Sequence, residues 1–169
     1  MKKFELTNEF ITNMFGTKLF RIRALVEFGD VEAGELGGYV EKESNLGHDD
    51  NAWVYGDARV YDNARVYDNA RVYGDAWVYG NARVCGDALV CGDARVCGNG
   101  DYAYAHGFGS VNRTTTFFRL KDGGVGVRCG CFYGTLAQFR DKIRETHGET
   151  KKAQEYLMLA DLMKLRFEK

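Results

Sequence analysis

Asn51-Ala52-Trp53-Val54-Tyr55-Gly56 is followed at once by Asp57-Ala58-Arg59-Val60-Tyr61-Asp62, and six more hexads of the same form carry the pattern to about Cys97. Alanine recurs at 52, 58, 64, 70, 76, 82, 88 and 94, and valine at 54, 60, 66, 72, 78, 84, 90 and 96, without a break. The residue between them is Arg, Trp or Leu, and the one after valine is Tyr or Cys. Side chains alternate between the faces of a strand. Ala-x-Val-x therefore sends the invariant pair to one side, which must be the interior, and the variable pair to the other. Each strand ends at Gly or Asp followed by Asp or Asn, residues that tolerate left-handed backbone angles and close tight corners. A corner every six residues leaves strands too short for hairpins, and successive hairpins would not keep one inside pattern.

These hexads resemble the hexapeptide-repeat family, whose members wind three hexads into each turn of a left-handed triangular prism. The expected fold is mainly β: a left-handed parallel β-helix of about three coils, with degenerate sequence at Leu46 to Asp50 and Gly98 to Gly107 extending the eight clean hexads. Residues eighteen apart then stack at about 4.8 Å. One outer face carries Trp53/Tyr55, Arg71/Tyr73 and Leu89/Cys91; the next carries Arg59/Tyr61, Trp77/Tyr79 and Arg95/Cys97; the third carries Arg65/Tyr67 and Arg83/Cys85. The Arg-Trp-Arg column suits cation–π stacking. Arg65 over Arg83, and the corner ladder Asp57/Asp75/Asp93, set like charges near contact. Opposite charges around the corner or water would relieve them; the sharper alternatives are an anion on the arginines and a hard cation on the aspartates.

Cys85, Cys91 and Cys97 point apart on three faces, so no disulfide or shared metal joins them within a chain. Cys129-Gly130-Cys131 reads as one strand with both sulfurs on one side, a structural pair or a redox or metal pair. Over the 169 residues the net charge is −1, but residues 109–169 hold 12 basic and 7 acidic side chains. An anionic ligand belongs there if anywhere, although such an excess also suits a solvated helix face. The start is not basic-then-apolar, and no run of about 18 apolar residues occurs. A soluble, cytoplasmic protein with no membrane partner is expected, in the host cytoplasm if the chain is phage-encoded.

The flanks divide the chain into an N-terminal β cap (1–45), the β-helix (46–108) and a C-terminal α+β domain (109–169). Phe4 to Phe10 and Lys18 to Phe28 alternate as the strands of a hairpin covering the first coil, whose edges and core would otherwise be open. Thr114 to Leu120 and Val125 to Phe132 read as a second hairpin, with Gly124, Gly126, Gly130 and Gly134 leaving a bare face. Thr135-Leu136-Ala137-Gln138 is a capping box opening a helix that Gly148 stops. A last helix, about Thr150 to Phe167, has an apolar stripe widened by Leu159, Leu162 and Leu165 beyond what one packing surface needs.

Arg21 to Leu25, Leu36-Gly37-Gly38-Tyr39-Val40-Glu41, the repeat, Thr115-Thr116-Phe117-Phe118-Arg119, Asp122-Gly123-Gly124 and Cys129-Gly130-Cys131-Phe132-x-Gly134-Thr135 together resemble poorly characterised hexapeptide-repeat proteins common in phages and prophages. That resemblance implies phage association and no established activity. The best-known prisms of the family are acyltransferases, homotrimers with a histidine base at the subunit cleft; here the hexads hold no histidine and no inserted loop, which leaves His48 and His106 at the two ends. A zinc site of carbonic anhydrase type would need three gathered histidines, and His48, His106 and His147 lack the spacing. No metal or cofactor is expected. The favoured reading is a non-catalytic binder, a homo-oligomer with a trimer preferred. Thr115, Thr116, Arg119, Lys121 and Arg128, with Phe118 and Phe132, would hold a nucleotide through phosphate and base contacts. Its use would be sequestering a host signalling nucleotide or blocking a defence protein, with no nucleic-acid polymer bound. Alternatives are an acyltransferase, or an assembly module of a phage particle whose aromatic outer walls bury against sister chains.

Overall fold

The computed structural model describes residues 1–168; Lys169, which ends the expected 109–169 segment, lies outside the described residues. Eight two-residue strands make the repeat: β1 (Phe4–Thr12), β2 (Lys18–Ala24) and β3 (Leu36–Val40) precede β4 (Trp53–Val54), β5 (Arg59–Val60), β6 (Arg65–Val66), β7 (Arg71–Val72), β8 (Trp77–Val78), β9 (Arg83–Val84), β10 (Leu89–Val90) and β11 (Arg95–Val96). Parallel pairing links Trp53 to Arg71 to Leu89, Arg59 to Trp77 to Arg95, and Arg65 to Arg83. These are the three faces that the eighteen-residue spacing implies, and they make a β-solenoid of about three turns. All eight alanines and all eight valines of the repeat are 0% exposed, which settles the inside assignment. Full burial of each valine contributes roughly 1.5–3 kcal/mol before ordering costs. At the corners Gly56, Asp62, Asp68, Gly74, Gly80, Gly86 and Gly92 all adopt positive φ. The series stops at Gly98, whose φ of −151° is extended, and there the chain leaves the solenoid.

The parallel ladder starts ahead of the hexads. In β3, Tyr39 and Val40 pair with Arg59 and Val60, and Leu46 bridges Val66. A Cβ on Gly37 would stand 2.6 Å from the Val54 carbonyl oxygen and 2.8 Å from Trp53 Cζ2, so only glycine lets β3 close over the first coil. β1 and β2 continue that same sheet antiparallel, giving the order β1-β2-β3-β5-β8-β11. Phe4 and Phe28 set their ring edges against the fully buried Trp53 and fill the open end of the core.

At the other end the expected hairpin is a four-stranded antiparallel sheet: β12 (Tyr102–Ala105), β13 (Thr115–Arg119), β14 (Val125–Cys129) and β15 (Phe132–Thr135), in that order. The segment read as one strand from Val125 to Phe132 breaks at Gly130, where φ is +58°. One sheet face, with Tyr102 and Phe118, joins the solenoid core; the other, with Phe117, Val127 and Cys129, packs on helices α1 (Leu136–His147) and α2 (Lys151–Phe167). Thr135 and Gln138 form the capping box as read, and Gly148 ends α1 at φ +58°. On α2, Ala153, Tyr156, Ala160, Met163 and Phe167 are buried, whereas Met158, Leu162 and Leu165 face outward.

Candidate functional site

Strand alternation splits the residues expected to hold a ligand. Thr116, Phe118 and Arg128 face the solenoid, while Thr115, Arg119 and Phe132 face the helices. The hydroxyl of Thr116 accepts a hydrogen bond from Leu89 N at 3.0 Å, and that of Thr115 donates to Cys129 Sγ at 3.2 Å. Phe118 is fully buried, and Arg128 lies over the Tyr73 ring. Arg119 donates to the carbonyls of Gly123 and Phe167 and lies 3.8 Å from Asp101. Lys121 stands in the β13–β14 turn, beside Asp93 and Tyr133 in a separate small cavity. The seven side chains do not converge on one surface. Nor is the glycine face bare: a Cβ on Gly126 would meet Phe118, one on Gly134 would meet Gln138 and Phe132, and one on Gly130 would overlap the Arg113 guanidinium.

His48 stacks on Phe4 at 4.3 Å, and its Nδ1 accepts the Lys3 amide. His106, exposed at the opposite end, shares a 2.9 Å hydrogen bond with Thr114. Each belongs to its own cap, and among the described residues the one carboxylate within 4.0 Å of either ring is Glu43, 3.8 Å from His48 and too far for the short hydrogen bond of a dyad.

The residues that do converge lie between the sheet and α1. Ser110, Arg113, Cys129, Cys131, Phe132, Phe139, Lys142, Ile143, Thr146, His147 and Tyr156 line a cleft of about 190 Å³. Its floor is aromatic, with Phe139 edge-on to Tyr156 at 5.8 Å and tilted against Phe132 at 5.6 Å. Its rim is basic, from Arg113, Lys142 and His147. The loop before β13 is fastened over it: Gly109 N donates to Glu155 at 2.7 Å and Ser110 N to the Tyr156 hydroxyl at 2.8 Å. Burial pushes the Tyr156 hydroxyl above its ordinary pKa, so it is a neutral donor and acceptor at neutral pH. Val111 and Asn112 in this loop hold φ of 49° and 50°, a strained region for a β-branched residue. Cys129 is buried on the sheet face while Cys131, past the turn, is exposed; the two sulfurs do not share one side of a strand as the sequence reading had them. Among the described residues no group of three metal-capable side chains assembles.

A family model described as YdcK Beta solenoid repeat matches residues 64–80, 76–92 and 82–98. The match agrees with the three faces of parallel strands already in register. This chain is a repeat β-solenoid protein. No curated protein matches it. The family match spans residues 64–98 and leaves the first two hexads and both caps outside, so the cleft lies in the part of the solenoid protein that the comparison does not reach.

Beside the cleft, Gly29, Asn51, Asn69, Arg71, Asp87, Leu89, Val111, Arg113, Thr114 and Gly130 line a wider, polar groove of about 620 Å³. Arg113 belongs to both. The Arg113 guanidinium packs over the bare Cα of Gly130, and its Nε is buried with no hydrogen-bond partner. Arg113 lies in the loop before β13, outside the strand pattern that singles out the Thr and Phe residues. The legible signal was a Gly107-x-Gly109 pair leading to a basic residue beside a Thr run. Arg128 and Arg59 also bury Nε atoms without partners, but each guanidinium lies over a ring, Tyr73 and Trp77 respectively.

Proposed function

We propose that this solenoid is a binding protein whose C-terminal cleft takes a small anionic ligand bearing a flat ring, with a nucleotide as the class that suits it best. The observation that carries the reading is Arg113: a guanidinium fixed between an aromatic cleft and a polar groove, with a buried Nε lacking an acceptor. A buried donor without a partner costs about 1–3 kcal/mol, and an oxyanion at this junction would offset it by pairing with the part of the guanidinium that faces the cleft and the groove. A base would lie against Phe132, Phe139 or Tyr156, and phosphoryl oxygens would meet Arg113 and Lys142. The resemblance to phage-type proteins makes host signalling nucleotides the first ligands to try, with sequestration of one, or blockade of a defence protein, as the purpose. We propose a homotrimer, for which the outward stripe of Met158, Leu162 and Leu165 supplies an apolar surface.

The test is to purify the protein from a bacterial host, extract it under denaturing conditions, identify released small molecules by mass spectrometry, and record the oligomer mass on the same sample. A nucleotide near one per chain, lost in Arg113→Gln with the fold intact, is the expected result. An empty protein whose melting temperature no nucleotide raises would overturn the reading.

A further inference from the structure

We infer that the third face of the solenoid, built on β6 and β9, is a second and separate site, one that binds a diphosphate group through Arg65, Arg83 and Arg166. The outward arginines of the other two faces are all accommodated within the fold. Arg59 and Arg95 enclose the Trp77 ring at 5.0 and 4.1 Å, and Arg71 meets Asp30 at 3.1 Å. Arg65 and Arg83 are paired rung on rung, both exposed, and among the described residues neither side chain has a carboxylate within 4.0 Å. The Arg65 guanidinium lies over the Tyr67 ring at 5.8 Å. Their strands lie about 4.8 Å apart, and like charges carried on adjacent rungs repel.

Three of the nearby carboxylates are committed elsewhere. Asp50 accepts the Asp68 amide at 2.7 Å, Asp68 accepts the Gly86 amide at 3.1 Å, and Glu43 binds Lys2 at 2.7 Å. Asp49 lines the same groove but lies beyond 4.0 Å of Arg65 and Arg83. Meanwhile Arg83 is held in place through its backbone: its N–H donates to Asn99 Oδ1 at 2.8 Å, and its carbonyl accepts from the Tyr102 hydroxyl. Two grooves, of about 520 and 390 Å³, meet at Tyr67 and Arg83. The first contains Arg65; the second ends at Arg166 of α2, whose Nη2 rests 3.2 Å from the Asn99 carbonyl. Three arginines thus line a continuous depression whose carboxylates, Glu43, Asp49 and Asp50, all lie beyond 4.0 Å of the Arg65 and Arg83 side chains among the described residues. Adjacent phosphoryl groups, each taking charge-assisted hydrogen bonds from one guanidinium, would convert the repulsion into attraction. A single carboxylate could neutralise only one rung.

The experiment is calorimetric titration of the full chain, in buffer free of sulfate and phosphate, with inorganic diphosphate, inorganic phosphate and a nucleoside diphosphate. Diphosphate should bind with an affinity that falls as salt rises, and phosphate at least tenfold more weakly. Arg65→Gln and Arg83→Gln should each weaken diphosphate at least tenfold, while Arg23→Gln, which removes an exposed partner of Glu5, leaves it unchanged. Without ligand, Arg83→Gln should melt no lower than the parent, because it removes a like charge; this separates a site residue from a structural one. Equal affinity for the nucleoside diphosphate and for diphosphate would assign the site to the inorganic group, and tighter nucleoside diphosphate would assign it to a nucleotide. Absence of diphosphate binding, or binding indifferent to Arg65→Gln and Arg83→Gln, overturns the inference. Loss in Arg113→Gln instead would place the anion in the cleft and leave that reading standing.

Discussion

Thr116 of β13 and Leu89 of β10 are joined across 27 residues by a 3.0 Å hydrogen bond, with the Leu89 amide donating to the Thr116 hydroxyl. β10 is the last strand on its face, so the Leu89 amide has no further coil above it to bond. A side chain from the C-terminal sheet supplies the missing acceptor, just as Phe118 fills the end of the core. Thr116→Val keeps the shape but leaves that amide unsatisfied in the interior. The variant is expected to lose about 1–3 kcal/mol, read as a lower urea midpoint with an unchanged slope. No change in midpoint would mean that the cap is held by its apolar contacts alone.

Alkaline unfolding should be steep. Burial pushes the hydroxyls of Tyr55, Tyr61 and Tyr73 up to about 12, whereas in the unfolded chain they ionise near about 10. The folded state therefore retains protons that the unfolded state has lost, and the stability tied to these hydroxyls is intact below about pH 10 and disappears as pH rises towards about 12. Lys3 acts in the opposite sense: burial lowers its pKa against the pull of Asp50, so its contribution improves as pH climbs towards its ordinary value. Urea midpoints from pH 8 to 12, alongside tyrosinate absorbance, check this; three phenols ionising near about 10 in the native protein would contradict it.

Much of the solenoid was readable because its signal repeats. Ala52, Val54 and their successors must satisfy the same interior in every hexad, and Gly56, Asp62 and Asp68 the same left-handed corner. The caps carry no such redundancy. Gly37 and Gly38 show nothing of their role in sequence, yet they sit where β3 packs against Val54 and Ala58 too closely for any side chain. The stretch Cys129-Gly130-Cys131 alternates like a strand, and only the positive φ at Gly130 turns it into a corner. Thr115 and Thr116 looked like a pair because they are adjacent in sequence, and strand geometry puts them on opposite faces of the sheet. Arg113 acquires its meaning from Gly130, seventeen residues away, and no local pattern carries that.

Thiol reactivity should grade by position. Cys97 and Cys131 are exposed, Cys85 is half-buried, and Cys91 and Cys129 are buried, with burial pushing the Cys91 thiol up. An aromatic disulfide reagent should modify two thiols rapidly in the native protein, a third more slowly, and all five only after denaturation. Because Cys131 lines the cleft and Cys97 lies on the solenoid wall, a cleft ligand should slow the first and spare the second. Equal protection of both would point to a global change instead.

Gly130→Ala distinguishes backbone strain from the geometry of the cleft. At φ +58° an alanine is strained, and its Cβ would overlap the Arg113 guanidinium. Gly123→Ala meets the same kind of strain at φ +89° but has nothing within 4 Å of the added carbon. Both variants should lose about 1–3 kcal/mol of stability from the left-handed backbone. Only Gly130→Ala moves Arg113 out of the junction between cleft and groove, so it alone should weaken the cleft ligand, by tenfold or more. The pair is compared by melting temperature and by titration with the ligand recovered from the native protein. If both variants bind that ligand as well as the parent does, Arg113 is a packing residue and the cleft does not depend on its position.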